Sequence, residues 1–201
     1  MQEPAEFKVD ERILGGRPKG HNVRQQILDA LEEASPDAVL QINFSRVEML
    51  DFSAADELLA GLLARTISGE LGNRRFYLAN VSEGVREGIA AVLKLRKRAC
   101  LELTDSGDVR VLGHLSAPHK ETLHFAIERG SVTAADVAER FWEKPNMTAA
   151  TNRLNALVSA GLVLRDVEQG GPRGARHRYL SFIKPGTSTS GRRRKKGETK
   201  P

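Results

Sequence analysis

Apolar residues recur along this chain in two rhythms, every three or four positions or in short dense blocks, and the two alternate. Val23, Ile27, Leu28 and Leu31 recur at helical spacing and predict a helix over residues 23–34. Asn22 is its expected N-cap, with Gly15-Gly16-Arg17-Pro18-Lys19-Gly20 ahead of it as a turn. A strand is expected over residues 7–13 and a core strand over 38–44, where Val39-Leu40-Gln41-Ile42 alternates. Leu58, Leu59, Leu62 and Leu63 predict the inward face of a helix over 54–67 capped by Ser53. Residues 75–79 read as a third strand, 83–95 as a helix capped by Ser82, and 100–103 as a fourth strand. A strand-helix rhythm of this kind predicts an α/β layer, helices on a small sheet.

The rhythm changes near Gly113. Helices are expected over 118–129, ending at Gly130, over 132–141, capped by Thr133 or Ser131, and over 148–160, closed by Gly161. Strand-like runs at 162–167 and 176–182 flank a Gly-Gly-Pro loop. The expected class is therefore α+β or α/β, a small mixed sheet with helices over residues 1–113 followed by a three-helix and β-ribbon unit over 114–183. Residues 184–201 carry no apolar anchor and are expected to be a disordered basic tail.

Charge sharpens this division. Residues 1–113 hold 15 Lys/Arg against 18 Asp/Glu, residues 114–183 hold 9 against 7, and residues 184–201 hold 7 against 1. The net +5 of the chain comes wholly from its second half, which directs phosphate-rich partners there. With 40% hydrophobic and 28% charged residues each half is long enough for a core. The lone Cys100 excludes an internal disulfide framework, and with an acidic N-terminus lacking an apolar signal segment it makes the cytoplasm the expected address. No stretch approaches a membrane-spanning length, so no membrane partner is expected.

The third C-terminal helix carries the clearest chemistry. Ala150, Leu154, Leu157 and Val158 gather on one side and Thr148, Thr151, Asn152 and Asn155 on the other. Solvated faces usually carry Glu and Lys, whereas this one is short, polar and free of acids, as a helix lying in a major groove requires. Asn152 or Asn155 can bond an adenine edge, and Thr148 or Thr151 a phosphate or a thymine methyl. Lys144 ahead of the helix, and Arg173, Arg176 and Arg178 around the loop, are candidate phosphate or minor-groove contacts. Val132-Thr-Ala-Ala-Asp-Val-Ala-Glu-Arg, followed by Met147-Thr-Ala-Ala-Thr-Asn-Arg-Leu-Asn-Ala-Leu-Val-Ser-Ala-Gly-Leu-Val, resembles the helix-turn-helix core of bacterial winged-helix repressors. That resemblance implies duplex DNA as partner. It implies a homodimer too, since one short helix reads few base pairs. A winged helix that docks to protein is the alternative.

In the first half, Leu40-Gln-Ile-Asn-Phe-Ser-Arg-Val-Glu-Met-Leu-Asp-Phe-Ser-Ala-Ala-Asp-Glu-Leu-Leu and Tyr77-Leu-Ala-Asn-Val-Ser resemble the STAS-like relatives of anti-sigma-factor antagonists. The resemblance implies a sensory or oligomerisation domain, a regulatory protein partner, and a phosphorylated hydroxyl in the turn after Asp51, where Ser53 is the candidate. The competing reading of Ser53 is a plain helix cap, and Phe52 and Ala54 depart from the family's small hydroxyl residue and glycine. The loop at 15–20 lacks the G-x-x-x-x-G-K-[ST] order of a phosphate loop and reads as a turn. The basic knot Lys94, Arg96, Lys97, Arg98 complements a helix end. His21, His114, His119, His124 and His177 show no metal spacing, and no acid–base–nucleophile constellation appears, so neither a cofactor nor an enzyme activity is expected. Together these readings predict a DNA-binding transcription regulator, or else a partner-switching protein.

Overall fold

The computed structural model describes residues 4–168 and 176–184 of the chain. It is a mixed α/β protein built on a mixed five-stranded sheet of order β1-β3-β5-β6-β7. β1 (Ala5–Lys8), β3 (Val39–Asn43), β5 (Arg75–Ala79) and β6 (Ala99–Leu103) run parallel, and β7 (Val109–Gly113) returns antiparallel beside β6. A separate parallel ribbon joins β2 (Ile13–Leu14) to β4 (Met49–Leu50).

Every residue of β5 and β6 is buried, as strands covered on both faces must be. Their side chains alternate between two clusters. Leu40, Ile42, Phe76, Leu78, Cys100 and Leu112 point to one face, packed by α1 (Gly16–Glu33), by the run α2 (Phe52–Ala55), a π-helical stretch (Asp56–Ala60) and α3 (Gly61–Ser68), and by α4 (Glu83–Leu95). Tyr77, Ala79, Ala99, Leu101 and Leu103 point to the other face, where the C-terminal elements close over them. The C-terminal half thus shares its core with the sheet: Leu123, Ala126, Leu154, Leu157, Tyr179 and Phe182 belong to the same cluster as Leu101. Gly161, at φ +72, ends the last helix so close to α3 that a Cβ there would lie 3.1 Å from the Thr66 methyl.

Two polar devices lie within this packing. Glu102 is 1% exposed on the helix-covered face, where Arg86 of α4 donates through Nε to both carboxylate oxygens at 2.9 Å. Arg24 of α1 donates to the Glu57 carbonyl at 2.8 Å and pairs with its carboxylate at 2.7 Å. A π-turn leaves carbonyls out of the usual ladder, and Arg24 occupies this one. Burial pushes the Cys100 thiol up to about 12, and burial with the Glu6 carboxylate does the same for the Tyr77 phenol, whose hydroxyl donates to Gln41.

Several sequence expectations are corrected here. The strand expected over 7–13 divides into β1 and β2, which join different sheets. α1 starts at Gly16, so Asn22 is a helix-interior residue and the expected turn is the helix's first turn. Glycine and proline mark this segment as a turn, but the Asp51 carboxylate accepts the Gly16 N–H at 2.7 Å and holds the helix end open to Pro18. Gly20 is required because a Cβ would meet the Ala54 carbonyl oxygen at 2.5 Å. Ser53 is not the cap of the following helix; Asp51 is, accepting the Ala54 N–H at 2.7 Å. One carboxylate thus caps two helices, and those backbone donors hold its pKa below the ordinary value. β7 and the two-residue strand β8 (Ser131–Val132) were not anticipated.

Candidate nucleic-acid interface

After β7 the chain forms α5 (Ala117–Arg129), β8, α6 (Ala134–Phe141), α7 (Met147–Ser159), β9 (Leu164–Glu168) and β10 (Arg176–Leu180). The strands pair antiparallel in the order β8-β10-β9, with Tyr179 facing Val132 on one side and Arg165 on the other. Three helices and a small antiparallel sheet therefore stand together.

Capping fixes where the two central helices start. Thr133 Oγ1 accepts the Asp136 N–H at 3.2 Å while Asp136 accepts the Thr133 N–H at 2.7 Å, a reciprocal box. The Thr133 hydroxyl, above all, holds the Asp136 carboxyl below its ordinary value, with the Thr133 N–H and the charges of Arg129 and Arg178 acting in the same direction. Trp142 leaves the helix in extended backbone, Pro145 ends the turn, and the Asn146 side chain accepts the Ala149 N–H at 2.9 Å to start α7.

The amphipathic pattern then decides how α7 lies. Ala150, Leu154 and Leu157 are fully buried in the shared core. Thr148 and Asn152 are exposed on the opposite side, Thr151 is half-buried, and the helix contains no acidic residue. Asn155 is half-buried and faces the sheet: the Tyr179 hydroxyl donates to its Oδ1 at 3.3 Å. Of the two asparagines expected to read bases, Asn152 therefore presents its amide outward while Asn155 is engaged by β10.

The remaining predicted site residues are spread around this helix. Lys144 is exposed in the turn before it. Arg178 is exposed on β10, opposite Asp166 and within electrostatic reach of Asp136. Arg176 begins β10 in register with Glu168. Arg173 and the basic tail lie outside the described residues. Ser53 is exposed in the first turn of α2, far along the chain from these groups. Arg96, from the basic knot, donates to both oxygens of Asp56 at 2.7 and 2.6 Å.

Sequence reasoning missed Arg153. Its guanidinium lies 4.4 Å from the Trp142 ring centre and 5.4 Å from that of Phe141. Stacking of this kind braces the turn between α6 and α7 against α7 itself. The signal was an adjacent aromatic pair just before the turn and an arginine about two turns into the helix that follows. Among the described residues no cluster of His, Cys, Asp or Glu has a metal-binding arrangement, and no helix is long and apolar enough to cross a membrane. Compared with protein-family models, with curated proteins and with solved structures, the chain matches none.

Proposed function

We propose that this chain is a DNA-binding transcription regulator, with a winged helix over residues 114–183 that lays α7 in the major groove. The STAS-like first half acts as its sensory or oligomerisation unit. The observation that carries the reading is the acid-free outward face of α7, Thr148 and Asn152 with Lys144 before it, on a helix whose other face is fixed in a core. A helix held rigidly on one side and presenting short neutral polar groups on the other can approach phosphates and base edges without repulsion. The strand order β8-β10-β9 around α5–α7 is the arrangement a winged helix has, and Arg178 is exposed on its ribbon.

The test is selection of bound fragments from random duplexes by the full chain, followed by anisotropy titration of the recovered sequence against a scrambled one. Enrichment of one sequence, with binding that weakens as salt rises, is the expected result. No retention of any duplex at moderate salt would rule the reading out. A second reading, a partner-switching protein, is favoured by one observation: Ser53 is exposed in the first turn of α2, where a kinase can reach its hydroxyl. Incorporation of phosphate at Ser53 in cells, with no DNA enrichment, would select it.

A further inference from the structure

We propose that the outer face of the β2–β4 ribbon, with Phe52 beside it, is where two copies of this chain meet. Ile13 pairs with Met49 and Leu14 with Leu50 in parallel register. Alternation sends Leu14 and Leu50 inward, at 0% and 9% exposure, and turns Ile13 and Met49 out, at 50% and 55%. Asp51 donates its N–H to the Leu14 carbonyl, so Phe52, also 50% exposed, follows directly at the ribbon's end. A solvated ribbon carries polar residues at such positions. Here Ile13 and Met49 stand side by side across the ribbon instead, and exposed Phe52 follows three residues after Met49 in the chain.

The rim identifies the occupant. Arg12 pairs with Glu48, Arg46 with Asp10 and Lys19 with Glu11, and all six charges are well exposed. An open groove of about 420 Å³ runs between the first two pairs, lined by Asp10, Arg12, Ser45, Arg46 and Glu48. A strongly acidic or basic partner would leave half of this rim opposed to like charge. A second copy turned about a two-fold axis meets each sign with the other, the self-complementarity that an isologous contact requires. Exposed ion pairs contribute little within one chain, so exchanging them between copies costs little. Three half-exposed side chains offer on the order of 300 Å² of apolar surface. A standard interface takes about 800 Å² from each partner. The rim must therefore join the contact, and the pair dissociates on dilution. Use of such a pair, two α7 helices on one duplex, rests on the functional reading above; the contact itself does not.

Sedimentation of the full chain without DNA, over a dilution series, tests this. The mass should rise from one chain to two with concentration. Phe52→Glu and Met49→Lys should each raise the half-association concentration about tenfold or more by placing charge at the apolar centre. Glu suits the first turn of a helix, and both changed side chains are exposed, so melting curves should stay close to those of the unaltered chain. Ile13→Thr, which keeps a β-branched residue on the strand, provides a milder variant should either of the others fold poorly. Leu95→Glu, at a residue 67% exposed at the end of α4, should associate as the unaltered chain does. A single-chain mass at every concentration would overturn the proposal. So would folded ribbon variants that pair as before, or a Leu95 variant that dissociates as readily as they do.

Discussion

The two faces of the central sheet are closed in different ways. On one, α1, the 52–68 helical run and α4 all come from the same half of the chain; Arg86–Glu102 ties α4 to β6, and Arg24–Glu57 ties α1 to the π-helical stretch. On the other, the covering elements come from the C-terminal half, and apolar contact dominates. The first face holds a scaffold together. The second attaches a surface-presenting unit to it, so that α7 is anchored through Leu154 and Leu157 while Thr148 and Asn152 stay outside.

Removing one partner of the buried pair tests the first face most severely. Arg86→Ala leaves the Glu102 carboxylate, 1% exposed, without its guanidinium and should cost about 3–5 kcal/mol in chemical denaturation. Glu102→Gln keeps a hydrogen-bonding group of the same shape and should cost clearly less. Equal losses from the two would mean that the charge pairing is not what fixes α4 to β6.

Leu101→Ala tests the second face, because Leu101 is 1% exposed and lies where the halves meet. A loss of about 2–5 kcal/mol is expected for such a truncation. Trp142, the chain's one tryptophan, sits between α6 and α7, so its fluorescence reports the C-terminal half while far-ultraviolet dichroism reports the whole. The two signals should fall together in the variant. Fluorescence that changes well before dichroism would show that the seam is not a shared core.

This seam marks the limit of what the sequence revealed. α4, α5, α7 and β5 stand within about a residue of expectation because their apolar spacing is strong, with Gly130 marking the end of α5 and Gly161 following α7. Ala150, Leu154 and Leu157 point inward as their spacing required. The start of α1 was hidden because its cap, Asp51, is 35 residues away in the chain. β7 and β8 are short strands that exist through pairing with β6 and β10, which local pattern does not carry. Phe76-Tyr77-Leu78-Ala79 is an unbroken apolar run, and such a run signals cover on both faces; reading each half as having its own core passed over that signal. In the candidate interface, the polar face of α7 was legible but the inward turn of Asn155 was not, since Tyr179 meets it from a strand 24 residues on.

The two asparagines turn this last difference into a measurement. On a selected duplex, Asn152→Ala should weaken binding by roughly 1–3 kcal/mol, with non-specific binding and melting nearly unchanged. Asn155→Ala loses the Tyr179 hydrogen bond and should lower fold stability by about 1 kcal/mol. Its effect on binding should be the same for every duplex, following from the loosened sheet. A sequence-selective loss at Asn155 and none at Asn152 would reverse the assignment of the two side chains.

The smallest expected effect concerns the cap of α6, where stability and pH are linked. Thr133→Ala removes the reciprocal box and should cost about 1 kcal/mol at neutral pH. Asp136 has a folded pKa below its ordinary value of 3.8, mainly because of the Thr133 hydroxyl. The fold therefore favours the ionised carboxylate. Its contribution is complete above pH 3.8 and disappears as pH falls through the lower folded value. In the variant the largest cause of that shift is gone, so the loss of stability as pH falls below 3.8 should be shallower than in the unaltered chain. Asp136 is half-buried and keeps the Thr133 N–H, Arg129 and Arg178 near it, so the difference will be a fraction of the cap's own contribution. Denaturation midpoints measured across that window, for both proteins, decide the point. Parallel pH profiles would show that the Thr133 N–H, with Arg129 and Arg178, rather than the Thr133 hydroxyl, holds the carboxylate in its ionised form.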